Sequence, residues 1–279
     1  MILSILSRIR SASKNRSAKK KIRSYEQKYR SESKIRSPSV NVEATFDEFV
    51  LKFGGIKISD IIDEKSRMPR NADYLFPEYN FVAELKTLEG VFSGEVGQRQ
   101  LSQAFIDAGE PLASLMGFLF SGMDMPEKVG ELIQKRLRRG LESRVKEARQ
   151  QIRHSKKMFG DRETRTLILF AMDRQPIFGH HTILFQLSRL ISSNYCDEYT
   201  DGVVYFNPNV PTQPNPDGME FTGWFPFYRD DETNAKLSPF VDLLGNRWLT
   251  HIGSINGITN PILQLETFDE LVTALGGSK

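Results

Sequence analysis

NADYLFPEYNFVAELKTLE, residues 71–89, holds two apolar runs split by Pro77-Glu78-Tyr79-Asn80. Tyr74, Leu75 and Phe76, then Phe81, Val82 and Ala83, are good strand formers, and Pro and Asn between them suit a turn. The stretch reads as a β-hairpin. With the turn centred between Glu78 and Tyr79, Pro77 faces Asn80 and Asp73 faces Glu84. Directly opposed residues on one face stand about 4.5–5.5 Å apart. Side chains alternate faces along a strand, so Glu84 and Lys86 share a face, and it is the face of Asp73. Three charged groups thus converge at one end of an otherwise apolar hairpin.

Two directly opposed carboxylates repel, and a sheet gains no stability from that pairing. A bound divalent cation removes the objection, because Mg²⁺ takes carboxylate, water and substrate phosphate oxygens as ligands. Lys86 beside the pair is placed to hold an attacking water or to steady a phosphate. The layout suits metal-assisted phosphodiester hydrolysis.

Asp73, followed after ten residues by Glu84-Leu85-Lys86 on a hairpin, resembles the signature of the PD-(D/E)XK nucleases. That superfamily includes restriction endonucleases, repair nucleases and many bacterial defence nucleases. The resemblance implies an α/β fold, with a restriction-endonuclease-like αβββαβ core around a central mixed sheet. It makes Asp73 and Glu84 metal ligands, helped by the Leu85 carbonyl, and Lys86 the catalytic lysine. The cofactor implied is Mg²⁺, with Mn²⁺ as the alternative. Ala72 departs from the pattern, standing where the family usually has Pro. Such nucleases often carry a further acid on the helix before the hairpin. Asp47, Glu48, Asp63 and Glu64 are the candidates, and Glu64, nine residues before Asp73, is the one chosen. Many also have a later helix whose Gln or Lys reaches back to the site. Ala148-Arg149-Gln150-Gln151-Ile152 resembles that helix, with Gln151 and Lys156 as candidates and Gln150 next to them. There Arg149, Arg153 and Lys156 would contact phosphate oxygens, which position a nucleic acid without reading its sequence. A basic face simply left in water is the alternative.

Of 279 residues, 39% are hydrophobic, enough for one substantial core. Cys196 is the only cysteine, so no intrachain disulfide forms and a reducing cytoplasm fits. No apolar run reaches the ~18 residues of a membrane span. The net charge of +3 is unevenly spread: residues 1–40 hold twelve Lys/Arg and two Glu, or +10, and the remainder carries −7. A basic arm, Lys19, Lys20 and Lys21 included, on a mildly acidic body suits a polyanion. A solvated tail without a dedicated partner, or a short membrane-surface helix using Ile2, Leu3, Ile5, Leu6 and Ile9, are the other readings.

Residues 10–40 hold few large apolar side chains, so disorder or a lone basic helix is expected there. The arm is assigned to residues 1–41 and the nuclease-like domain to 42–279, with a core to about 206 and a C-terminal elaboration over 207–279. Thr45-Phe46-Asp47-Glu48 reads as a capping box, and Gly54-Gly55 as the end of that helix. A short helix is expected over 59–64 and a loop over 90–97. Leu101, Ala104, Phe105 and Ala108 mark a helix. Residues 112–120 are apolar almost all round, so they should be buried or face a partner chain. Residues 127–158 read as one long amphipathic helix, inserted before the next strand. Strand 164–171, helix 180–191 and strand 203–206 form a βαβ unit with a right-handed crossover. Asp230-Asp231-Glu232 reads as a solvated loop, 247–252 as a strand, and Thr267-Phe268-Asp269-Glu270 as the start of a last helix.

The chain has no GxxxxGK[ST], no GxGxxG after a strand and no CxxC, and its four histidines lack zinc spacing. The expectation is therefore a Mg²⁺-dependent nuclease acting on DNA, with RNA as the alternative substrate. It would work in the cytoplasm, in a setting such as phage defence. A catalytically silent nucleic-acid-binding module, or an assembly partner that forms homo-oligomers or joins a defence system through 112–120, are the rivals. Membrane association is not expected.

Overall fold

A computed structural model describes residues 40–62, 71–88, 94–173, 180–192, 200–209 and 222–255. Helix α1, Val42–Phe53, buries Val42, Phe46, Phe49 and Val50, the stripe of a helix with one apolar face. Its cap is Asn41, whose side chain accepts from the Ala44 N–H at 3.0 Å; the capping box expected at Thr45 lies inside the helix instead. Gly54 ends it in the left-handed region, with φ of 93°, as expected of a C-terminal glycine.

Six strands follow in spatial order β1 to β6: Ile56–Lys57, Tyr74–Phe76, Phe81–Thr87, Arg165–Ala171, Gly202–Phe206 and Trp224–Tyr228. The short helix α2, Ile58–Ile61, leaves β1 directly. Strands β1, β2 and β3 pair antiparallel, β3 to β4 and β4 to β5 pair parallel, and β6 returns antiparallel. The protein is thus α/β with a mixed sheet. The βαβ unit of β4, α6 (His180–Ser192) and β5 is as expected from the sequence.

The crossover from β3 to β4 carries α3 (Gly94–Ala108), α4 (Leu112–Phe120) and α5 (Glu127–Phe159). The first of these starts within the stretch expected to be loop. In α5, Val129, Ile133, Leu137, Leu141, Val145, Ala148, Ile152 and Ser155 are buried at steps of three or four. With α3 and α6 they cover one face of the sheet, against Val82, Ile168, Phe170, Val203 and Tyr205. Leu115 and Gly117 bury the inner side of α4, while Leu112, Met116, Leu119 and Phe120 stay exposed.

The other face is covered by α1 and by α7, Asp231–Ile255. Two sequence readings are corrected here. Residues 247–252 belong to α7 rather than to a strand, and Asp230-Asp231-Glu232 opens that helix, with Asp230 Oδ1 accepting from the Thr233 N–H at 2.7 Å. Pro239 inside the helix reads locally as a breaker. Packing overrides it: Leu237, Phe240, Val241, Leu244, Trp248 and Ile252 recur with the helical period and are buried. Trp248 sits 4.8 Å from Phe46 and 5.3 Å from Phe49 between ring centroids, joining α7 to α1. The segment assigned as an elaboration thus supplies an edge strand and half of this layer. Pro226 is tolerated in β6 because, among the described residues, the strand has a neighbour on one side only. Cys196 and the helix expected at Thr267 lie outside the described residues, as does the basic arm through Ser39.

Candidate active site

Tyr74 pairs with Ala83, Leu75 with Val82 and Phe76 with Phe81, the register expected from the turn. The turn itself is a 3₁₀ turn, Pro77–Tyr79, closed by Asn80 at φ 56°. Continuing that register places Asp73 opposite Glu84, and the next rung would join Ala72 to Leu85.

That next rung is not made by backbone. The Leu85 N–H donates to Asp73 Oδ2 at 2.8 Å, and the buried Ala72 N–H donates to Ser155 Oγ at 2.8 Å. Two side chains thus replace the ladder bonds where β2 ends, and the sheet opens at that point. In a strand, the N–H and C=O of one residue leave by the same edge. The Leu85 carbonyl therefore faces the opening beside the Asp73 carboxylate. Ser155, from α5, was not a candidate in the sequence; no local signal marks a serine that bonds a residue 83 positions away. Replacing it should strand a buried N–H, at a cost of about 1–3 kcal/mol. Ser155→Ala is expected to melt at a clearly lower temperature. An unchanged melting point would show that the Ala72 N–H finds another partner.

Glu84 is only 1% exposed, and its Oε1 lies 2.7 Å from Lys86 Nζ. Its Oε2 is a buried acceptor with no hydrogen-bond donor. Burial, and next the neighbouring Asp73 carboxylate, push the Glu84 pKa up to about 8 against the pull of Lys86. Burial also raises Asp73, opposed by the Leu85 N–H and Lys86. The two carboxyl groups stand close enough to share a proton. Burial works against the Lys86 charge as well, but the charge and hydrogen bond of Glu84 outweigh it and hold the lysine above its ordinary value. Lys86 is therefore an ammonium at neutral pH, a donor and not a proton acceptor.

Helix α5 crosses this opening. Gln151 Nε2 donates to the Asn71 carbonyl at 3.1 Å, which places it at the start of the hairpin. Glu147, one turn earlier, reaches Lys86 Nζ at 3.4 Å. At about 100° per residue, Arg144, Glu147, Gln151 and Ser155 lie to one side of the core-facing line through Ala148 and Ile152. Arg149, Arg153 and Lys156 lie to its other side, on the flank away from Gln151. Neither Glu147 nor Arg144 was singled out from the sequence, although both precede Gln151 at helical spacing.

Of the acids considered on α1, Asp47 acts through its charge on Asp73, raising its pKa, and both Asp47 and Glu48 have hydrogen-bond partners of their own. Asp47 accepts from Tyr74 Oη at 2.8 Å and Lys57 Nζ at 2.5 Å, and Glu48 pairs with Lys52. Asp63 and Glu64, like Lys19, Lys20 and Lys21, fall outside the described residues.

Among the described residues no group of three His, Cys, Asp or Glu converges as a metal site. The residues that could hold a cation are Asp73, Glu84 and the Leu85 carbonyl. This oxygen-only set fits Mg²⁺, which is commonly bound by one or two carboxylates and completed by waters and phosphate. The donorless Glu84 Oε2 fits such a group too. No helix among the described residues is long and apolar enough to cross a membrane. No protein-family model, no curated protein and no solved structure matches the chain.

Proposed function

We propose that the chain is a Mg²⁺-dependent nuclease that hydrolyses DNA phosphodiester bonds on a restriction-endonuclease-like core. The observation that carries this reading is the Asp73–Glu84 carboxylate pair at the opening of the sheet, with the Lys86 ammonium 2.7 Å from Glu84. The order α1, β1, β2, β3, α5, β4 also supports it, as does the position of β3 beside the parallel strand β4.

Asp73, Glu84 and the Leu85 carbonyl would hold the cation, Mg²⁺ or Mn²⁺. When bound, it supplies a water of lowered pKa and offsets charge developing on the phosphate. The chain's own residues do the rest. Glu84 would release its proton to solvent in order to hold the cation. Lys86, already charged, donates a hydrogen bond that orients the attacking water or steadies a phosphate oxygen. Gln151 and Ser155 hold the 71–72 backbone, and so the Asp73 carboxylate, in place. Phage defence is a setting such a nuclease suits.

The test is cleavage of plasmid and linear DNA with Mg²⁺, with Mn²⁺ and with EDTA. Metal-dependent cutting is expected. Intact DNA and intact RNA under all three conditions would overturn the reading.

The exposed Leu112, Met116, Leu119 and Phe120 on α4 favour a second reading, an assembly partner that buries this face. A solution mass equal to one chain, with no cleavage of either nucleic acid, would leave neither reading standing for the isolated protein.

A further inference from the structure

Helix α5 carries eleven Lys/Arg and four Glu over 33 residues, a net +7, in a chain whose residues beyond the basic arm sum to −7. The excess is not spread evenly round the helix. Lys135, Arg139, Lys146, Arg153 and Lys157 are all exposed and recur at steps of four and seven. At about 100° per residue these steps keep them within about 40° of one another, on the side away from the buried line, and at 1.5 Å per residue the row is about 33 Å long. Arg149 and Lys156 are half-buried at its edge, and the exposed Glu131, one turn before Lys135, closes it at one end. The exposed Lys52 and Lys236 are each matched by an acid one turn away on their own helix, Glu48 and Glu232. On α5 itself, Glu142 beside the row is held by Arg138 at 2.8 Å. By contrast, Lys135, Arg139, Lys146 and Lys157 make no ion pair among the described residues. Lys135 and Arg139, and again Arg153 and Lys157, are like charges four residues apart, which destabilise a helix by about as much as an opposite pair stabilises it. A solvated face gains nothing from that arrangement, whereas a face that meets a polyanion does.

We propose that this row is the seat of the sugar–phosphate backbone of duplex nucleic acid, and that it sets the length of substrate the hairpin site holds well. The inference rests on the nuclease reading of the hairpin and deepens it. The row and the opening are neighbouring sides of one helix: Lys146 is adjacent in sequence to Glu147, which reaches Lys86 Nζ at 3.4 Å. From Gln151, beside the opening, the row runs on for about 24 Å to Lys135 and for only about 9 Å to Lys157. A duplex rises about 3.4 Å per base pair, so one lying along the row is held for about seven base pairs to one side of the cut. The row has no aromatic side chain on which unpaired bases could stack, which leaves phosphates as its partners. Such contacts hold a duplex in place and read no sequence.

The test is fluorescence anisotropy of a labelled DNA duplex of about twenty base pairs, long enough to cover the whole row, with the full chain in EDTA, where nothing is cut, over a series of salt concentrations. The row variant is Lys135→Gln with Arg139→Gln. Its control is Lys52→Gln with Lys236→Gln, which removes the same charge from the matched sites. The row variant is expected to bind on the order of tenfold more weakly at low salt and to flatten the slope of log K against log salt by about two, one for each lost phosphate contact. The control should change the slope by clearly less than one. Glutamine is a good helix former, and the substitution removes a like-charge pair, so the row variant should melt no lower than wild type. In Mg²⁺, its loss in kcat/KM should appear in KM. A duplex too short to reach from the opening to Lys135 should be cut equally by variant and wild type.

A slope left unchanged by the row variant, or changed equally by the control, would overturn the proposal and make the row a solvated face. Weakened binding of single strands with duplex binding intact would overturn it as well. The two readings fail separately. Weaker duplex binding by the row variant in a protein that cuts nothing would keep the row and remove the nuclease. Cleavage that needs Lys86, with duplex affinity indifferent to Lys135 and Arg139, would do the reverse.

Discussion

Lys86→Ala should lose about a hundredfold or more of the Mg²⁺-dependent cleavage rate, the scale on which a positioned proton donor or water-orienting group contributes. The reason is local. Lys86 is the one cation hydrogen-bonded to the Glu84 carboxylate among the described residues, and Glu84 keeps it charged despite its burial. An alanine there leaves Asp73 and Glu84 in place but removes the ammonium donor beside them. The fold should persist, because Lys86 lies near the end of β3 and is not part of either apolar cluster. Circular dichroism of the variant should overlay that of wild type, and its loss should be in kcat. Cleavage at the wild-type rate by a well-folded Lys86→Ala would remove the catalytic assignment of the hairpin.

Glu84→Gln should end cleavage and, without divalent cation, make the protein more stable at pH 8. Burial first, and Asp73 second, raise the Glu84 pKa from an ordinary 4.5 to about 8. Between those values the folded chain keeps a proton that the unfolded chain has released. Stability therefore falls as pH rises across that interval. The contribution is complete below about pH 4.5 and gone above about pH 8. Glutamine is neutral throughout, so the variant should lose this part of the slope. At pH 8 in EDTA it should exceed wild type by about 1–3 kcal/mol, the scale on which replacing a costly buried charge stabilises a fold.

If the proposed reading holds, Mg²⁺ would bind the ionised pair, so it should raise the melting temperature of wild type at pH 8 and leave Glu84→Gln nearly unmoved. Thermal melts of both proteins at pH 5 and pH 8, with EDTA and with Mg²⁺, measure all of this. A variant less stable than wild type at pH 8, with the same pH slope, would show that the Glu84 side chain is ionised and well partnered in the metal-free fold. The expected gain is of a familiar kind: a buried carboxylate pair kept for activity would be a stability cost.

The hairpin was legible because its information is local. Strand alternation and a proline-containing turn decide which residues oppose one another, so Asp73 facing Glu84 follows from residues 73 to 84 alone. The long helix was legible for the same kind of reason, since eight buried positions recur with its period. The βαβ unit after it follows from two short apolar runs separated by a helix. Helix α7 was partly hidden because Pro239 looks like an ending to any local rule, and only the layer formed with α1 shows why the chain continues through it.

From the sequence by itself came the α/β class, the hairpin, its register and the face shared by Asp73, Glu84 and Lys86. These depend on backbone periodicity and turn chemistry, which act over a few residues. Tertiary structure alone decided that Glu84 is sealed from water, that Ser155 and Asp73 take over a missing rung of the ladder, and that Glu147 reaches Lys86. Each of those joins or encloses groups 12 to 83 residues apart. Burial and contact at such separations depend on how α5 crosses the sheet, a placement set by the summed packing of the whole apolar layer.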